Sequence, residues 1–119
     1  MIPDFTLIDM EGGWERPAGY PPLVESKTLA DTLDETARTG HRTLLMRYHP
    51  GAADDRVLTH EQIEEVWMLE GEMLWLGGDG SVVQRIPRHG YVCRPPGVPH
   101  GPFRSDRGCL MLAMFYYPT

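Results

Sequence analysis

From residue 43 to the C-terminus, apolar stretches alternate with short breaks of glycine, proline and charge. The stretches are 43–48, 66–69, 73–76, 81–86, 91–93 and 109–117. Their lengths and their content of Val, Ile, Leu, Tyr and Trp are those of β-strands. The breaks read His49-Pro50-Gly51, Glu70-Gly71-Glu72, Gly77-Gly78-Asp79-Gly80, Arg88-His89-Gly90, Pro95-Pro96-Gly97 and Asp106-Arg107-Gly108. Gly and Asp tolerate the backbone angles of tight turns. The pattern predicts an all-β chain, with a hairpin turning at 77–80.

Two segments carry a helical pattern as well. In 28–38, Leu29, Leu33 and Ala37 recur every four residues, so the segment reads either as a short helix or as two strands meeting near Arg38-Thr39-Gly40-His41. In 59–70, Thr59 and Gln62 fit a capping box, Ile63, Val66 and Trp67 share a helical face, and Gly71 fits a C-terminal cap. Against that helix, 66–69 runs straight into a turn and another apolar stretch. Local pattern leaves this segment open.

Composition narrows the class. A chain of 119 residues fits one domain, and 41% apolar with 24% charged residues is ordinary globular composition. No apolar run approaches the ~20 residues of a membrane span, and the N-terminus lacks a signal-peptide pattern, so a cytoplasmic chain is expected. The net charge of −6 argues against nucleic-acid binding. Residues 1–78 hold the acidic excess, whereas 79–119 carry five arginines against two acids. These five, Arg85, Arg88, Arg94, Arg104 and Arg107, read as solvated or paired surface groups. Cys93 and Cys109 form no CxxC pair, which excludes a zinc ribbon and a thioredoxin-type site. Both read as reduced, packed thiols.

The candidate chemistry lies in the histidines: His41, His49, His60, His89 and His100. His60 and Glu64 stand four apart. In a regular strand that is about 13 Å, too far for one metal ion, so a kink is required; on a helix the two would be neighbours. His100 follows the stiff corner Pro95-Pro96-Gly97-Val98-Pro99, which could hold one imidazole in place.

Read together, these residues resemble a family. HEQIEEVWMLEG, from His60 through Glu64 to Gly71, resembles the first cupin motif from its second histidine onward. GYVCRPPGVPH, from Gly90 to His100, resembles the second. Upstream TGHRTLLMRYHPGA is similar to the strand and turn that precede the first motif, and downstream HGPFRSDRGCLML looks like small cupins related to the barrel domain of metal-binding anti-sigma factors. The resemblance covers roughly residues 25–117. It implies a single-domain double-stranded β-helix, a jelly-roll barrel over 26–119, with 1–25 as an arm or extra strand. It also makes 64–69 a strand.

The resemblance implies a metal site of His60, Glu64 and His100. Two departures stand out. The first motif histidine is replaced by Leu58, and a frequent motif-two asparagine by Arg104. Two histidines and one carboxylate still form a triad with open positions, suited to iron(II) and able to hold zinc, nickel or manganese. His49 and Cys109 are the candidates to replace the lost ligand, and neither is favoured. Glu65 could take the carboxylate role, but neighbours in a strand face opposite ways and the spacing to Gly71 favours Glu64. A Trp- and Met-rich strand surface fits a homodimer.

Three functions follow. The first is a metal-dependent enzyme on a small molecule, with a dioxygenase foremost. The second is a non-catalytic ligand- or metal-sensing module, to which the anti-sigma resemblance and Leu58 both point. The third is a metal-free isomerase or epimerase with His60 or His100 as general base.

Overall fold

Alternation between buried and exposed side chains organises the chain from Val24 onward. The computed structural model describes residues 4–118. It contains nine strands: β1 (Val24–Asp31), β2 (His41–Tyr48), β3 (Ala52–Asp54), β4 (Ile63–Gly71), β5 (Met73–Leu76), β6 (Val82–Ile86), β7 (Tyr91–Arg94), β8 (Phe103–Ser105) and β9 (Cys109–Tyr116). Among the described residues there is no helix. One sheet has the order β1-β2-β9-β4-β7 and the other β3-β8-β5-β6, with every pairing antiparallel. The two sheets face each other as a double-stranded β-helix.

Both ambiguous segments resolve as strands. The 28–38 segment holds the end of β1 and a tight loop in which Asp34 pairs with Thr39 before β2 begins. The 59–70 segment supplies β4, whose buried Glu64, Val66 and Met68 alternate with the outward Glu65 and Trp67. The expected hairpin joins β5 and β6: Gly77 N–H donates to Ser81 O at 2.8 Å and Gly80 N–H to Gly77 O at 3.0 Å.

The inner faces supply a core of Val24, Met46, Tyr48, Val66, Met68, Met73, Phe103, Met111 and others. Four of these are methionines, whose unbranched side chains adapt to a narrow interior. Where β4 ends, Gly71 has a φ of +76°, and a Cβ there would lie 2.1 Å from the Gly108 carbonyl oxygen. Glycine is therefore required at the motif's last position.

The segment before β1 folds back on its own barrel. Glu15 pairs with Ser26 through two backbone hydrogen bonds, at 2.8 and 2.6 Å. Trp14 lies on the outer side, with the Arg47 guanidinium 4.0 Å from its ring centre. Tyr20 enters the barrel mouth beneath Arg56, 4.4 Å from its ring centre, and Arg56 in turn is held by the buried Asp54 at 2.9 and 2.7 Å. Arg56 thereby ties this segment to β3.

Candidate metal centre

The two histidines come from two loops that are stitched together. Leu58 and His100 form a backbone bridge, with N–H to O distances of 2.8 and 2.9 Å in the two directions. Gly97 N–H donates to the His60 carbonyl at 2.9 Å. The kink demanded by the His60–Glu64 spacing is a bend at Glu61–Gln62, just before β4. Glu64 follows as the first buried residue of the strand, opposite Arg94 of β7 and Phe115 of β9.

One ligand atom from each of His60, Glu64 and His100 lies within 4.8 Å of the others. His60 Nε2 stands 3.9 Å from Glu64 Oε2, and His100 Nε2 stands 3.8 Å from Glu64 Oε1. Both distances are too long for a hydrogen bond. The rings meet edge-on with centres 5.0 Å apart.

Hydrogen bonds on the far side of each ring fix the protons. His60 Nδ1 lies 3.0 Å from the Gln62 carbonyl and His100 Nδ1 lies 3.3 Å from the Val98 carbonyl. A carbonyl only accepts, so each Nδ1 carries a proton, and in the neutral ring Nε2 presents a lone pair. His60 Nε2 is buried and has no hydrogen-bond partner among the described residues. Burial also pushes the His100 pKa below its ordinary range, outweighing the attraction of Glu64. In their neutral form the two imidazoles thus turn lone pairs toward one carboxylate. That donor set fits a divalent cation, and the backbone acceptors orient the rings as they do in metal sites.

Among the described residues Glu64 has one hydrogen-bond donor, Arg94 Nη1, at 2.5 Å from Oε1. Both side chains are almost wholly buried, so the sequence reading of Arg94 as a surface group is corrected. The strand pleat is the reason: Tyr91 and Cys93 face out, leaving Val92 and Arg94 to face in. Arg85 and Arg104 do form exposed pairs, with Glu72 at 2.8 Å and Asp106 at 2.7 Å. Cys93, expected to be packed, is exposed for the same reason of strand parity, whereas Cys109 is buried and its thiol pKa is pushed up to about 11.

The position of the missing ligand is apolar. Leu58 lines the cavity together with Glu64 and His100. Neither proposed replacement does so: His49 is held by Glu25, and Cys109 packs at the opposite side against Tyr48 and Gly71. The interior leaves about 40 Å³ of open space, walled by Met46, Val66, Met68 and Ala113. That is room for an ion and a few small ligand atoms. Tyr20 also reaches this cavity, with no local sign of it in the sequence; burial raises its phenol pKa.

No protein-family model matches the chain, and no curated protein matches it in sequence. Solved structures match its fold. An acetylacetone dioxygenase from Acinetobacter johnsonii superposes with a TM-score of 0.74 at 16% identity, covering 98% of this chain and 75% of that one. The polyketide cyclase RemF from Streptomyces resistomycificus gives 0.70 at 20% identity, over 93% and 78%. A cupin domain of an XRE-family transcriptional regulator from Enterobacter cloacae gives 0.59 at 23% identity, over 82% and 99%. At these identities the likeness establishes the fold.

Proposed function

With the cupin fold as the premise, we propose that this protein is a divalent-metal centre acting on a small molecule, with dioxygenase-type chemistry as its reaction class. His60, Glu64 and His100 are the proposed ligands. The observation that carries this reading is the buried, unpartnered Nε2 of His60, aimed with His100 Nε2 at one carboxylate. A polar atom left this way is costly unless something binds it. When bound, iron(II) would supply oxygen chemistry, and zinc, nickel or manganese would supply Lewis acidity.

The chain's own residues do the rest. The Gln62 and Val98 carbonyls hold both imidazoles in the metal-ready tautomer. Arg94 orients Glu64, and the methionine-rich walls keep bulk water out. Tyr20 keeps its phenolic proton at neutral pH and offers a donor at the cavity. The fold likeness to a dioxygenase supports the reaction class.

We further place the protein in the cytoplasm as a homodimer. Unpaired cysteines suit a reducing compartment. Trp67 and Tyr91, adjacent across β4 and β7 and both exposed, give a flat aromatic face that a second copy would cover. No helix among the described residues is long and apolar enough to cross a membrane.

Elemental analysis of untagged protein, wild type and His100→Ala, tests the proposal. Stoichiometric iron, nickel, manganese or zinc lost in the variant is the expected result. A wild type that stays empty after incubation with all four ions would overturn it. The sensing module is the second reading, favoured by Leu58 in the ligand position and by the fold of the regulator's domain. It predicts tight metal or ligand uptake without turnover. Activity that survived chelation would instead point to metal-free isomerase chemistry.

A further inference from the structure

The barrel has a seam where the two sheets end in β6 and β7. A pocket of about 250 Å³ fills this seam. Its walls are mostly apolar, with Trp75, Ile86, Val92, Val98 and Phe103, and Gln84 and Cys93 add two polar side chains. Its inner wall is formed by Arg94 and His100, which also border the cavity holding Glu64. The seam is thus an antechamber to the proposed metal centre.

Among the described residues Arg94 is the one arginine or lysine lining this pocket. Its guanidinium lies 5.1 Å from the Phe103 ring centre, and one nitrogen is spent on Glu64. Nε and Nη2 have no hydrogen-bond acceptor among the described residues. A guanidinium with a free edge, against an aromatic ring and aliphatic walls, matches a carboxylate attached to an apolar body. A phosphate ester fits less well, because its extra charge and acceptor oxygens would lie unpaired against Val92 and Phe103.

We propose that the seam pocket binds a small organic monocarboxylate, its carboxylate on Arg94 and its apolar body between Trp75, Ile86 and Val98. Assigning this acid as the substrate rests on the metal-centre reading; its binding does not.

The test titrates zinc-loaded protein with benzoate and with its uncharged analogue benzamide, reading tryptophan fluorescence and calorimetry, with zinc content measured on the same samples. Benzoate should bind at least about 10-fold more tightly than benzamide, the scale of a charge-assisted contact. Arg94→Gln, read at saturating zinc because the variant also loses the partner that orients Glu64, should bring the two within about twofold. Val98→Asp, on an exposed loop, should weaken both ligands about fivefold or more, benzoate the more because of the added charge, in samples whose zinc content is matched to wild type. Equal binding of the two ligands to wild type would overturn the proposal. So would a benzoate preference that survives Arg94→Gln, since the carboxylate would then sit on the ion alone. If wild type takes up no zinc, the metal-centre reading fails, and the same benzoate-to-benzamide ratio on metal-free protein decides the acid site. If Arg94→Gln does not fold, the wild-type ratio and Val98→Asp decide it.

Discussion

Glu64 and Glu65 are neighbours in β4, and they live in opposite worlds. Glu65 faces outward, where its carboxylate accepts from the hydroxyls of Tyr91 and Tyr116. These two bonds hold its pKa below the usual carboxylate range and push both phenols up. Glu64 faces inward, with one arginine and two imidazole nitrogens that carry no proton in the neutral rings. The outer carboxylate has a hydroxyl donor on each oxygen and keeps less for a cation. The inner one has a donor on one oxygen and keeps more. The pleat decides which residue goes where, but the donors around each carboxylate decide what it can do.

The largest break between the two should come from deletion. Glu64→Ala should weaken zinc binding by more than about 100-fold, since even loss of an orienting partner costs 10–100-fold. Glu65→Ala should stay within about twofold; a chelator-competition titration reads both. Stability separates them next. In metal-free protein Arg94→Gln strands a buried carboxylate and should cost about 3 kcal/mol in denaturant unfolding, a cost that added zinc reduces. Glu65→Gln should cost less and show no rescue by zinc. Leu58→His sharpens the inner face in the other direction, adding a donor opposite His100 and tightening zinc by about 10-fold.

The smallest effect is in pH. The folded pKa of His100 lies below its ordinary 6.5, so its share of stability in metal-free protein is full above pH 6.5 and lost as pH falls through the lower folded value. Glu65 is lowered from its ordinary 4.5, so its share persists down to pH 4.5 and is lost only below it. Unfolding measured against pH should therefore show two stages. His100→Gln should remove the upper stage, and Glu65→Gln should shrink the lower one, to which the lowered Glu25 and Asp54 also contribute.

Strands with a strong apolar content were legible in the sequence: 73–76 coincides with β5, and 81–86 and 109–117 match β6 and β9 within a residue. β1 was not legible, because it is an edge strand of mixed burial, written VESKTLAD. The three-residue β3 and β8 are too short to carry a pattern. Motif spacing named the three residues whose ligand atoms converge. It missed Arg94 because charge alone reads as surface, although counting pleat positions back through β7 would have turned it inward. Tyr20 had no such signal. It reaches the cavity only because the chain before β1 doubles back, a tertiary event with no local pattern.

The stitching of the two histidine loops has a consequence for the life of the folded chain. His60 and His100 are brought together by the Leu58–His100 bridge and the His60–Gly97 bond, which close a loop of some forty residues. An unfolded chain holds no such constellation, so an ion captured here counts wholly toward the native state. At free metal 100-fold above its dissociation constant that linkage is worth about 2.7 kcal/mol. A small barrel of marginal stability would then owe part of its persistence to the supply of metal around it, with proteolysis culling the molecules that go without.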